Sequence, residues 1–244
     1  MGTWPAAENL SPSPNLLLTG NEVRAGDGTK TVVERKIMPT NLKWLEWAQQ
    51  LQALAQTGLA FTTNPFDIVR YEEIQQVAAE IFASYTEVDL AVVKGIFQNQ
   101  SGYTTPKVDC RGVVFQDGKI LLVKELADGC FTLPGGWADV NDAPSWAVER
   151  EVREEAGYLV KASKLLAVYD RNKHGHPPYP FHAYKLFFRC ELIGKTEADA
   201  LETSDAGFYA EDALPPLSLT RVTDEEISRM FEHYRHADWP TDFD

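Results

Sequence analysis

The chain has 244 residues, 44% hydrophobic and 24% charged, enough for one ordinary core and a second small one, which excludes a disordered or fibrous protein. Asp and Glu total 36 against 23 Lys and Arg, and the formal charge of −13 repels polyanions from most of the surface, which argues against a stable nucleic acid complex. If the substrate carries phosphates, such a protein meets them through divalent cations held by its own carboxylates.

Cys110, Cys130 and Cys190 are widely spaced, with no CxxC pair, which fits a reducing, cytoplasmic location. The run Asn15-Leu16-Leu17-Leu18 is too short to span a bilayer, and no basic region leads into a longer apolar stretch, so no membrane association is expected.

In chain order, residues 1–39 carry Pro5, Ser11-Pro12-Ser13-Pro14 and Gly26-Asp27-Gly28 with little apolar periodicity, the signature of a flexible leader. From Asn41 the period is helical: Trp44, Leu45, Ala48, Leu51, Ala55 and Leu59 form one stripe, with Gly58 placed as a C-cap. A second helix opens on Asn64 and Pro65, and a third spans Glu87 to Phe97. Residues 40–101 therefore form a small α-helical domain. Trp44, Trp47, Phe66 and Tyr71 exceed what three short helices bury alone, so this domain is expected to build a homodimer.

After a linker to about Pro106 the period becomes strand-like. Val108 to Phe115, an Asp117-Gly118 turn and Ile120 to Lys124 form a hairpin, followed by a strand from Phe131 to Pro134. A helix is expected from Pro144 to Ala156, stopping at Gly157. Strands follow at Leu159 to Tyr169, His182 to Leu192 and Gly207 to Tyr209, and a last helix opens with the capping box Thr223 and Glu226. Residues 107–240 form a second, mixed α/β domain, and the fold class is α+β.

The helix from Pro144 carries the chemistry. At about 100° per residue, with Glu151 at zero, Glu155 falls near 40°, Glu154 near 300° and the small apolar Ala147 near 320°. Three carboxylates thus share the packing side, while Glu149 and Arg153 point to solvent. Carboxylates at this spacing repel one another, so a partly buried cluster needs cations, and hard oxygen ligands suit Mg²⁺ or Mn²⁺. Gly135 and Gly136 allow a close backbone approach just ahead of the helix.

Gly136, five residues, Asp142, seven residues, then Arg150-Glu151-Val152-Arg153-Glu154-Glu155-Ala156-Gly157-Tyr158 resembles the Nudix box, with Asp142 where that family has Glu. The resemblance covers roughly residues 107–220. It implies an α/β/α sandwich with a mixed sheet, and cation-dependent hydrolysis of a nucleoside diphosphate linked to another moiety. Upstream, Trp44-Leu45-x-Trp47, Gln56-Thr57-Gly58-Leu59 and Asp67-x-x-Arg70-Tyr71 are similar to the helical N-terminal domain of a bacterial Nudix subgroup of ADP-ribose and CDP-choline pyrophosphatases.

The resemblance implies Glu151 and Glu155 as first metal ligands, Glu154 as a third with a catalytic part, and the Gly135 carbonyl beside them. Arg150 would orient the cluster by pairing with Glu154 and Asp142. Glu202, before the strand at Gly207, is either a catalytic base or extra ligand or a solvated loop acid. Asp109 and Arg111, two apart on a strand, share one side and form either a surface ion pair or substrate contacts. Trp137, Asp170 and His176 lie in segments similar to the subgroup and are assigned to substrate, with a loop or structural role as the alternative for the histidine. The implied activity is hydrolysis of ADP-ribose to AMP and ribose 5-phosphate. The alternatives are a CDP-choline pyrophosphatase, a non-catalytic ligand sensor, or a side activity on RNA ends.

Overall fold

The computed structural model describes residues 42–198 and 203–244. The leader expected over residues 1–39 and the acid Glu202 lie outside the described residues.

Three helices open the described chain: α1 (Lys43–Phe61), α2 (Pro65–Tyr85) and α3 (Leu90–Gln98). Asn64 accepts a hydrogen bond from the Phe66 N–H with Pro65 in the first turn, and Asp89 caps α3 through the Ala91 N–H. Leu45, Ala48, Ala78, Ala79, Phe82, Val93 and Phe97 form their buried core. The alanines let α1 and α2 approach closely, and Trp44 stacks on Tyr85 at 5.0 Å between ring centroids. Gly58 is not the cap that the sequence suggested. α1 runs through it to Phe61, and a Cβ at Gly58 would lie 2.4 Å from the Tyr71 ring, so the glycine serves the helix crossing.

The second unit comprises β1 (Lys107–Gln116), β2 (Lys119–Glu125), β3 (Phe131–Thr132), β4 (Gly135–Trp137), α4 (Pro144–Ala156), β5 (Tyr158–Asp170), β6 (Ala183–Lys195), β7 (Thr203–Tyr209), α5 (Asp224–Arg235) and β8 (Asp242–Phe243). Asp117 and Gly118, both at positive φ, make the expected tight turn between β1 and β2. The sheet runs β3-β2-β1-β6-β5-β8, with β4 beside β1 and β7 beside β2. β1 and β6 are parallel and β5 and β6 antiparallel, so the sheet is mixed.

Both faces of the sheet are covered. Cys110, Val114, Leu121 and Val123 pack under Ala147, Val148 and Val152 of α4, while Val113, Ile120 and Leu122 pack under Ile227, Met230 and Phe231 of α5. The period-two alternation of β1 and β2 sends neighbouring residues to opposite layers, which explains their near-continuous apolar runs. The result is α+β: a helical unit followed by an α/β/α sandwich.

Some boundaries differ from expectation. β7 begins at Thr203 rather than Gly207 because Thr203–Ala206 pair along β2. β4 is three residues with weak strand propensity, held by its ladder to β1. β8 pairs with β5, so the folded unit continues past residue 240. Among the described residues, no helix is long and apolar enough to cross a membrane.

Candidate active site

The site grows from the junction of β4 and α4. Gly135 has φ +146°, and a Cβ there would lie 2.0 Å from the Cys110 carbonyl oxygen on the neighbouring strand, so only glycine fits. The Gly135 N–H donates to Glu155 Oε2 at 2.8 Å. One turn earlier, the Glu151 carboxylate lies against Gly136, 3.4 Å from where a Cβ would stand. α4 ends at Gly157 in the left-handed conformation, which stops the helix immediately after this acidic turn.

Burial pushes the Glu155 carboxyl well above the usual carboxylate range; Arg111 and the Gly135 N–H oppose that, while Glu125 and Glu151 add to it. Glu125, at the end of β2, was not singled out from sequence. A charged residue closing the apolar run Ile120-Leu121-Leu122-Val123 was the available signal.

Arg150 is the hub of the exposed side of this cluster. It stands 2.8 Å from Glu151, 3.2 Å from Glu154, 3.2 Å from Asp139 and 3.5 Å from Asp142. The shorter Asp142 therefore still reaches Arg150, and Asp139 joins it. Glu149 does not simply point to solvent, as the helical projection suggested. Its carboxylate accepts from the Ala162 N–H at 2.9 Å and pairs with Lys161 at 3.1 Å, tying α4 to β5. Projection on a bare helix cannot see that neighbouring strand.

The donor chemistry fits a divalent cation: Glu151, Glu154, Glu155 and the carbonyl of Gly135 are all hard oxygens on adjoining turns. The raised Glu155 carboxyl has the environment that a cation would relieve. Among the described residues, no three acidic, His or Cys side chains already converge on one point. In this conformation Glu151 and Glu154 turn to Arg150.

Asp109 and Arg111 form a buried pair, at 2.9 and 3.1 Å, which rules out the surface ion pair. Arg111 also donates to the Leu133 carbonyl at 3.1 Å, linking β1 to the segment before Gly135. Trp137 and Asp170 line a cleft of about 1330 Å³ between α1 and the second unit, as do Asp139 and Asp142. Burial opposes ionisation of Asp170, but its bond from His182 at 3.0 Å and the Asn172 N–H hold it below the ordinary range. His176 lies elsewhere, enclosed between Glu226 at 3.0 Å and Lys185 at 3.1 Å. Its position in a Pro/His-rich loop gave no sign of this burial. The described neighbour of Glu202, Thr203, donates to the Glu155 carbonyl at 2.9 Å.

Comparison with known proteins matches residues 42–97 to the family described as "UDP-X-like, N-terminal oligomerisation domain" and residues 106–231 to the NUDIX domain. A Bacillus subtilis protein, YjhB, provisionally named an ADP-ribose pyrophosphatase, is 45% identical over 83% of this chain and 97% of its own length. The crystal structure of an ADP-ribose pyrophosphatase from Streptococcus suis is similar at TM-score 0.52 and 41% identity, over 57% of this chain and all of that one. A UDP-X diphosphatase structure is similar at TM-score 0.53 and 32% identity, over 82% of this chain and 98% of that one. With its acidic helix and layered sheet lying inside the residues 106–231 that match the NUDIX domain, the chain belongs to the NUDIX family and is a Nudix pyrophosphohydrolase.

Proposed function

We propose that the protein hydrolyses the pyrophosphate bond of ADP-ribose to AMP and ribose 5-phosphate with Mg²⁺ or Mn²⁺. The observation that carries this is the convergence of Glu151 and Glu155 on Gly135 and Gly136, at the foot of a helix whose Arg150 gathers the remaining acids. The names of the 45% identical relative and of the Streptococcus suis structure support the choice of ADP-ribose.

In this reading Glu151 and Glu155 hold the cation, with Glu154 and the Gly135 carbonyl completing its protein shell. A bound divalent cation neutralises the phosphate oxygens and acidifies water. Arg150 keeps the acids in register and yields them as the substrate enters. Asp109 and Arg111 support the floor of the site, and Arg111 balances the charge of Glu155. Glu202 is the base that takes the proton of the attacking water. Trp137 and Asp170 contact the substrate from the cleft, whereas enclosed His176 braces the fold.

The helical unit builds a homodimer: Trp47, Phe61 and Phe66 are 56%, 72% and 73% exposed on α1 and α2, an apolar surface that a second copy would cover. The description of the matching N-terminal family supports this. The similarity to the UDP-X diphosphatase across both units favours, as a second reading, a pyrimidine nucleoside diphosphate such as CDP-choline. Incubation with ADP-ribose, UDP-sugars, CDP-choline and NADH, with products separated, decides between them. AMP and ribose 5-phosphate from ADP-ribose at the highest kcat/KM is expected; preference for a pyrimidine substrate would replace the first reading with the second.

A further inference from the structure

The cleft between α1 and the second unit is walled on one side by three glutamines at helical spacing. Gln49 clamps the two units: its amide donates to the Tyr179 carbonyl at 2.9 Å and its oxygen accepts from Asn172 at 2.8 Å. Gln56 donates to the Gly102 carbonyl at 3.2 Å and holds the linker. Gln52, between them, is 6% exposed, yet neither its amide nitrogen nor its oxygen has a hydrogen-bond partner. Thr104 Oγ1 and Asn172 Oδ1, on the same cleft, are also buried and without partners.

Buried polar groups are ordinarily paired, because an unpaired amide loses its water without replacement. Replacement of Gln52 by an apolar residue is therefore expected to favour the fold, so an amide at this place points to something that enters the cleft. The opposite wall offers Trp137 and Phe181, flat faces of the kind on which bases stack. A carboxamide presents one donor beside one acceptor, the pattern that pairs bidentately with an adenine edge.

We propose that this cleft takes the nucleoside end of the substrate and that Gln52 reads the donor–acceptor edge of its adenine base, with Thr104 and Asn172 completing the polar wall. The inference rests on the reading that the acidic helix cleaves a nucleoside diphosphate. It adds that α1 of the N-terminal unit selects the base. The inosine analogue, which replaces the adenine amino group by an oxygen, is the discriminating probe.

The experiment measures kcat and KM for ADP-ribose and IDP-ribose with the full chain, Gln52→Met and Thr104→Val, together with Tm and calorimetric binding of AMP. The expected Gln52→Met result is a KM for ADP-ribose raised on the order of tenfold or more, with the loss falling on KM rather than kcat. The preference for ADP-ribose over IDP-ribose should shrink toward unity, and Tm should hold or rise, because both unpaired atoms are gone. Thr104→Val is expected to weaken AMP binding by a smaller factor. Unchanged KM, base preference and AMP binding in Gln52→Met would overturn the inference, as would a fall in Tm that accounts for the lost affinity. If the unsubstituted protein cleaves neither substrate, the proposed activity fails; AMP binding that is lost in Gln52→Met would still uphold the base site, and AMP binding equal in both proteins would overturn it.

Discussion

Lys185→Met is expected to destabilise the protein by an amount that depends on pH in an unusual direction. The Lys185 ammonium is buried, 3.0 Å from Glu226 Oε2, 3.1 Å from His176 Nε2 and 2.5 Å from the Arg221 carbonyl oxygen. Glu226 additionally accepts from His176 and from the Thr223 N–H of the capping box. Burial and Lys185 push His176 down to about 4, so at neutral pH the cluster holds one cation, one anion and a neutral ring. Burial opposes the Glu226 charge, but Lys185 and His176 hold its carboxyl well below the usual range. Removing Lys185 leaves that anion enclosed without a full countercharge, a change that costs about 3–5 kcal/mol in buried pairs.

His176 then becomes the available cation. In the unsubstituted protein its folded pKa lies below that of the unfolded chain, so stability falls as pH drops from about 6.5 toward 4. In Lys185→Met, the unneutralised Glu226 anion should instead lift the imidazole pKa above its unfolded value, so stability rises as pH falls from about 8 to about 6.5 and then stays level. The two trends converge, and at pH 5.5 the gap should narrow by about 2 kcal/mol relative to pH 8. Urea unfolding followed by far-ultraviolet circular dichroism at both pH values measures it. A gap that stays constant or widens, or a cost below about 1 kcal/mol at pH 8, would refute this account of the cluster.

Gly135→Ala should cost at least about 3 kcal/mol or prevent folding, since its Cβ would meet the Cys110 carbonyl oxygen at 2.0 Å; thermal melts check it, and a normal Tm would contradict the strand approach. Glu149→Ala should cost about 1–2 kcal/mol in urea unfolding, because the Ala162 N–H loses its acceptor, while kcat is little changed; a collapse of kcat would place Glu149 in the chemistry. Trp47→Ser combined with Phe66→Ser should convert a dimer to a monomer in light scattering; an unchanged mass would show that this exposed face is not the interface.

The acidic helix was legible because its signals are local. Pro144, Gly157 and the turn glycines set backbone limits that hold whatever the surroundings, and the spacing of Glu151, Glu154 and Glu155 needs only helix geometry. The Arg150–Glu154 pair spans one helical turn, whereas the reach of Arg150 to Asp142, which precedes α4, was implied by the family resemblance. Long-range placement was not legible. Nothing near His176 in the chain foretells that Lys185 and Glu226 enclose it, because those partners come from β6 and α5. Helix projection alone sends Glu149 to solvent because it leaves out β5, the next strand, which folds back along α4. The Asp109–Arg111 alternation gave a common face but not its burial, which β4 and β6 provide from both sides of β1. Gly58 suggested a helix end, yet the Tyr71 ring explains it better.

Turnover of ADP-ribose by the unsubstituted protein, Glu151→Gln and Glu155→Gln, with added Mg²⁺ or Mn²⁺ and products resolved, tests the central claim most directly. Each glutamine keeps the side chain's size and removes its charge, so both proteins should fold while kcat falls on the order of 10²–10⁴ and the unsubstituted enzyme yields AMP and ribose 5-phosphate. Undiminished turnover in either folded variant, or full turnover by the unsubstituted protein in excess chelator, would contradict the assignment of α4 as the cation-holding helix.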